Sequence, residues 1–410
     1  MERQGISLRS FPDHHQNYWQ LASIQSAALG LPGILIGGQL SIKFGITSAI
    51  ISIVIGNLVL WMIGFSIISM AAPSRDNAIE NVQRYLGKFG GFLAALFLIS
   101  AFLTWYILQI SSSVTAISNM VEWKMSNLRL GATLGFLTAL LSIGGIRFIK
   151  HFCVLLLPIL IVFAGYLVHV SDNKFQINPS WSLSLVGIIA VIAVGLPGTI
   201  NLPTFFRHSR SRADSYFGLG LLFLFTVAFQ IFSIVVGYSD PASIHANGVI
   251  DQWVLIGFTL LALLSVNLVN IYFASAGWEM IVPQRRSTKE YVIVGLMGTM
   301  AFTFLQISKP MEFLEEMADN FIASLGIVLL LAFLVKIIVR HRVRTNEKVV
   351  NVACWLLGGS VATVMQAMDS SEPSRTLVIA IGASSIAFLS VIFAEETTWA
   401  VRKLLLKRNK

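Results

Sequence analysis

Apolar stretches recur along the whole chain, separated by Gly, Pro or clusters of charge. They fall at about 21–43, 46–70, 91–119, 129–145, 148–170, 183–205, 216–238, 251–281, 290–307, 317–339, 349–368 and 375–396. A helix needs about 20 apolar residues to cross a bilayer, so this pattern predicts twelve transmembrane helices and an all-α polytopic membrane protein. Between and around them lie a polar N-terminus at 1–20 and a basic tail at 397–410. The N-terminus has no short apolar core followed by a cleavage site, so no removable signal peptide is expected.

Composition narrows the class. Hydrophobic residues make up 55% of the 410 and charged residues only 12%, against about 25% charged in an ordinary soluble domain. A water-soluble enzyme is excluded, and no room is left for a sizeable soluble domain. A net charge of +9 would suggest nucleic acid in a soluble chain, but in a membrane protein the placement of each basic residue carries the information. With the N-terminus in the cytoplasm, 23 of the 29 Lys and Arg residues fall in inside segments and 6 in outside ones. That split predicts twelve spans with both termini cytoplasmic, in the plasma membrane (the inner membrane of a bacterium). The clusters Arg207, Arg210, Arg212 and Arg340, Arg342, Arg344 then read as anchors on the cytoplasmic side, with lipid contact as a weaker role. Nucleic acid is not an expected partner. Cys153 and Cys354 both lie in apolar runs, so neither a disulfide framework nor a Cys-based metal site is indicated.

One tetrapeptide recurs. Gly30-Leu31-Pro32-Gly33 lies in the first apolar stretch and Gly195-Leu196-Pro197-Gly198 in the sixth, 165 residues later. Proline lacks a backbone donor and clashes with the preceding turn, and the flanking glycines have little helix preference. Both helices are expected to break there, with Gly30, Pro32, Gly33, Gly195, Pro197 and Gly198 as hinge residues. Spans one to five (21–170) and six to ten (183–340) would then be two repeats. Because five is odd, the second must run in the opposite sense, an inverted repeat, with helices eleven and twelve (349–396) left over. Unpaired backbone groups at mid-depth are tolerated where they line a cavity or face protein, so paired breaks point to a central binding site. The competing reading is that Gly and Pro merely make kinks and close helix contacts.

Polar residues converge on the same depth. Trp105 and Gln109 stand one turn apart on span three, stacking an aromatic face with an amide. Asn267 and Asn270 occupy the middle of span eight, Ser23, Gln25 and Ser26 the first half of span one, and Thr199 and Asn201 the far half of span six. No Asp, Glu, Lys, Arg or His stands near the midplane of spans one, three, six or eight. This argues against a metal site, a proton relay of buried carboxylates and an intramembrane enzyme, and for a small, neutral, hydrogen-bonding solute.

These residues resemble the nucleobase:cation symporter family, that of purine, cytosine and hydantoin permeases. The likeness rests on GITSAIISIVIG with Asn57 at 45–57, NVQRYLGKFGG at 81–91, the Trp-x-x-x-Gln of Trp105 and Gln109, the run Asn201 to Ser211, and Asn267-Leu-Val-Asn270-Ile-Tyr272. The family usually has Asp where Thr204 stands, and often a second Trp at the helix-six break, where Leu196 and Pro197 stand here. The resemblance implies the LeuT-type five-plus-five inverted repeat plus two C-terminal helices, with substrate between helices one, three, six and eight. It implies Trp105 stacking on a planar ring, and Gln109 and Asn270 bonding its edges. Asn267, Gln25, Gly30, Gly33, Gly195 and Pro197 complete the expected substrate site. A coupling cation, Na+ or H+, is implied, with Ser265 and the backbone at Leu29 as its candidate ligands and no other cofactor. The expected activity is cation-coupled import by a monomer in contact with membrane lipid. An amino-acid carrier of the same fold and a non-transporting membrane sensor are the alternatives.

Overall fold

The computed structural model describes residues 16–121, 125–170, 182–241, 244, 248–282, 288–305, 310–338, 346–368 and 373–408. The expected anchor cluster at Arg340, Arg342 and Arg344 and most of the N-terminal segment lie outside the described residues. In chain order the helices are α1 (Tyr18–Ala27), α2 (Gly30–Phe44), α3 (Ile46–Ala71), α4 (Ala78–Met120), α5 (Asn127–Leu141), α6 (Gly145–Val170), α7 (Leu185–Asn201) and α8 (Pro203–Phe206). There follow α9 (Arg212–Val236), α10 (Val249–Ile281), α11 (Thr288–Leu305), α12 (Pro310–Ile338), α13 (Glu347–Met368) and α14 (Pro373–Arg408). Among the described residues no strand forms; Gln16 and Ser209 make an isolated bridge.

Among the described residues, nine helical segments are long and apolar enough to cross a bilayer, ten when α1 and α2 count as one bent span. The two further spans of the expected twelve correspond to α11 and to a division of 127–170, which the short turn at Ser142–Gly144 and a positive φ of 59° at Gly145 interrupt. An uninterrupted helix of 44 residues would be about 66 Å long, twice a bilayer core of about 30 Å. Gly87 solves the same problem in α4, whose 43 residues would also overshoot: at φ 74°, ψ −179° it leaves the helical region and separates 78–86 from the span proper. The expected separate tail at 397–410 differs too, because α14 continues to Arg408.

The first of the two Gly-Leu-Pro-Gly segments stands at a bend. α1 and α2 meet at 72°, and Gly30 takes φ +66°, a left-handed conformation that costs other residues about 1–2 kcal/mol. Pro32 sits in the first turn of α2, where a missing N–H leaves no gap. The second does not, against expectation. α7 runs straight through Gly195, Pro197 and Gly198 to Asn201, and the interruption comes at Leu202, where Pro203 begins the short α8. Proline deletes one hydrogen bond and a helix can absorb that. Gly195 serves instead to admit a neighbour: a methyl group there would run into Leu60 of α3.

Two ends of the bundle are tied separately. At one end Gln16 N–H donates to His208 O at 2.7 Å, Arg210 N–H to Gln16 O at 2.8 Å, Tyr18 N–H to Asp214 Oδ1 at 3.2 Å, and Asn351 Nδ2 to Tyr85 O at 2.8 Å. At the other end Ser48 Oγ donates to Ser182 O at 2.8 Å and Asn119 Nδ2 to Pro241 O at 3.5 Å. The segments that meet at each end are those that the charge count puts on one side. The core has two main parts. The larger joins spans one, three, five, six, seven and eight. The smaller centres on Trp355, fully buried, whose Nε1 donates to Phe321 O at 2.8 Å while Phe97 stacks on Phe321 at 4.2 Å.

Candidate functional site

A cavity of about 150 Å³ lies where the bend of α1 and α2 faces α3, α4, α7, α9 and α10. Its walls follow helical periodicity. α10 presents Val266, Val269, Asn270 and Phe273, at spacings of three, four and seven, and α4 presents Phe102, Trp105 and Gln109. α1 and its break contribute Gln25, Ala28 and Leu29, and α2 contributes Gly33. Gly195, Pro197, Gly198 and Thr199 form the α7 wall. Among the described residues, no Asp, Glu, Lys, Arg or His lines the cavity.

Eight of the residues expected to bind substrate or ion therefore line one cavity: Gln25, Leu29, Gly33, Trp105, Gln109, Gly195, Pro197 and Asn270. Three buried polar atoms on them have no partner among the described residues, namely Gln25 Nε2, Trp105 Nε1 and Gln109 Oε1. A buried polar group without a partner costs about 1–3 kcal/mol, so two donors and one acceptor stand ready for a ligand. Gly30 lies behind this set. A Cβ at Gly30 would come within 2.5–2.7 Å of the Gln109 carboxamide, so the glycine is what lets Gln109 sit against the bend.

Asn267 does not line the cavity. It is one residue, about 100°, round from the Val266–Phe273 stripe, and is wholly buried, with Nδ2 donating to Tyr106 O at 3.2 Å and Oδ1 accepting from Asn270 Nδ2 at 3.3 Å. Its position is that of a support for Asn270, held in turn by the backbone of α4. Ser265 is likewise outside the lining. Its hydroxyl donates to Ala27 O, the last carbonyl of α1, with Leu261 O and Ala262 O of its own helix both 3.0 Å away. It ties α10 to the broken end of α1. Thr204, where the resembled family usually has Asp, accepts from Ala78 N–H at 3.3 Å and donates to Asn201 Oδ1 at 2.7 Å, so a neutral hydroxyl joins the α7–α8 turn to the first turn of α4.

Spans two and seven also line the cavity, which sequence reasoning did not foresee. From α3 come Asn57, Leu60 and Trp61, and from α9 Leu219, Leu222, Phe223, Thr226 and Gln230. Asn57 Nδ2 donates to Gln230 Oε1 at 2.7 Å, and Gln230 Nε2 donates to Gly33 O at 3.3 Å, so a buried chain of amides joins α3, α9 and the broken span. The signal for both was available: a single amide in the middle of an otherwise apolar span. Phe102, Phe273, Trp61 and Phe223 supply the aromatic surface that Leu196 and Pro197 of α7 do not.

No protein-family model matches the sequence, and no curated protein matches it in sequence. Solved structures do resemble it in fold. Mhp1, a nucleobase-cation-symport-1 family transporter solved in a closed conformation with bromovinylhydantoin bound, is 16% identical with a TM-score of 0.63, over 95% of this chain and 97% of its own. A Na+-coupled sialic acid symporter in a substrate-bound outward-open state is 12% identical with a TM-score of 0.68, over 91% and 89%. A manganese transporter of Eremococcus coleocola is 13% identical with a TM-score of 0.58, over 92% of each chain. The fold of this chain is the LeuT-type inverted repeat of membrane transporters.

Proposed function

We propose that the chain is a cation-coupled secondary transporter that carries a small, neutral, planar solute such as a nucleobase or hydantoin-like ring by alternating access. One observation carries this reading: an uncharged cavity at the bend of α1 and α2 where Trp105, Gln109, Gln25 and Asn270 converge with unpartnered donors and an acceptor among them. In it Trp105 stacks on the ring, while Gln109, Asn270 and Gln25 bond its edges. Gly33, Gly195, Pro197 and Leu29 shape the walls, and Gly30, Pro32 and Gly33 form the hinge. Asn267 positions Asn270. The coupling ion is Na+ or H+; the sodium-coupled sialic acid symporter of like fold supports the first. The spans number twelve, with repeats at 21–170 and 183–340 and two further helices at 349–396. Both termini face the cytoplasm, the protein is a monomer in contact with membrane lipid, and the membrane is the plasma membrane.

The test is uptake into proteoliposomes under imposed Na+ or H+ gradients, across nucleobases and hydantoins. Gln109→Ala should lower uptake sharply with membrane insertion unchanged; undiminished uptake would sink the assignment. A second reading, an amino-acid carrier, is favoured by one feature: α2 begins at the cavity with no side-chain cap, leaving backbone N–H groups and the positive end of the helix for a carboxylate. Competition between nucleobases and amino acids decides between them.

A further inference from the structure

A second cleft lies at the end of the bundle where α3 stops and α9 begins; its Pro203 adjoins Leu202 of the central cavity, but no residue lines both. The second cleft measures about 150 Å³, several times the roughly 30 Å³ that one water molecule occupies in the liquid. Three arginines line it, Arg75, Arg207 and Arg212, together with Ser209 and Ser211. They come from two links that are 130 residues apart in sequence and converge only in the fold.

Arginines outnumber carboxylates in the lining of this cleft, and the carboxylates there and just behind it are engaged: Asp214 accepts from the Ser211 hydroxyl at 2.6 Å and pairs with Arg210. The one acidic lining residue, Asp76, is committed to Arg84 in an ion pair. Arg207, at the back, has its Nη2 3.2 Å from Tyr272 Oη and its Nε 3.4 Å from His208 Nε2, and the carboxylates of Glu279 and Glu80 act on its charge. Arg75 and Arg212, at the mouth, have neither an ion pair nor a hydrogen bond among the described residues. Arg75 also holds a left-handed backbone, φ +55°, which a non-glycine residue adopts only at a cost and which is concentrated at binding sites. Ordinary membrane anchoring needs basic side chains spread over a surface. It does not need three arginines from two separate links gathered at one concave cleft.

We propose that this cleft binds a phosphate group, supplied by a lipid headgroup or by a free phosphate compound. Guanidinium groups pair with phosphate oxygens through two parallel N–H bonds, and the Ser209 hydroxyl, which accepts from Ser215 Oγ at 2.8 Å, donates to a third oxygen. Such a ligand ties the end of α3 to the link between α8 and α9. The inference does not depend on what the central cavity carries.

The experiment uses the full-length protein and the double variant R75Q/R212Q; both positions are exposed, so neither change buries or uncovers a core group. A second double variant, R147Q/K150Q, removes the same charge elsewhere. In detergent, thermal stabilisation is titrated with inorganic phosphate against chloride at matched ionic strength. In parallel, native mass spectrometry compares retention of phosphatidylglycerol and phosphatidylcholine. Phosphate stabilisation that weakens about tenfold in R75Q/R212Q but not in the control assigns a free phosphate. Loss of phosphatidylglycerol retention alone, again confined to R75Q/R212Q, assigns a lipid headgroup. If neither readout differs between the two double variants, the proposal is overturned. Failure of the transport assay would leave all of these outcomes intact.

Discussion

Gly30→Ala is the sharpest perturbation of the central site because its steric consequence falls on one named side chain. At φ +66° the alanine itself costs about 1–2 kcal/mol, partly offset by about 0.5–1 kcal/mol from a less flexible unfolded chain. Net stability should therefore fall only slightly. The new Cβ, however, would stand 2.5–2.7 Å from Oε1, Nε2 and Cδ of Gln109, and the carboxamide must turn away. Losing a hydrogen bond at a buried site is worth about 1–3 kcal/mol, which is about five- to 150-fold in ligand affinity. The assay is isothermal titration of purified protein with the best ligand from the competition panel, beside its thermal unfolding. Gly165→Ala in α6, where nothing lies within 4 Å of the added methyl, is the control and should leave affinity unchanged. Because Gly30→Ala acts through Gln109, the double variant G30A/Q109A should bind no worse than Q109A alone. Additive losses, or a G30A protein with unaltered affinity, would refute the reasoning.

Three further outcomes follow from the geometry around the cavity. In a double-mutant cycle, Asn57→Ala and Gln230→Ala should show a coupling of about 0.5–3 kcal/mol in unfolding free energy, since they share a buried bond of 2.7 Å; independent effects would dismantle the amide chain. Asn267→Ala should weaken ligand binding without touching the ligand, by freeing Asn270, whereas Asn267→Asp keeps the acceptor for Asn270 and loses the donor to Tyr106 O; if the two variants bind alike and normally, the support role is wrong. Affinity for a neutral ligand should be flat between about pH 5 and pH 8, where histidine is the side chain that ordinarily titrates, because no ionisable side chain of that kind lines the cavity among the described residues. A change of more than about threefold across that window would require a titrating group in the site.

What the sequence made legible, and what it did not, follows from how far each signal reaches along the chain. A span announces itself within 20 residues, so the apolar stretches map onto the helices and differ mainly at ends such as α4 and α14, where a polar segment extends a helix beyond the apolar run. The Trp105 and Gln109 pair was legible because four residues on a helix fix a common face, whatever surrounds it. Asn267 and Asn270 were not separable by the same means: three residues apart they lie on neighbouring faces, and only the position of Tyr106 O across the interface decides that one faces α4 and the other the cavity. The two GLPG segments make the point most clearly. Identical in sequence, they differ in structure, because Gly30 takes up a left-handed φ beside Gln109 while Gly195 remains helical against Leu60. A Gly-Pro-Gly run permits a break without requiring one, and the neighbour that a helix packs against determines whether the break is made. The asymmetry has a consequence for the site: of the two segments only the one in span one is bent, the unpaired amide groups of Gln25 and Gln109 lie at that bend, and the α7 wall is a continuous helix surface.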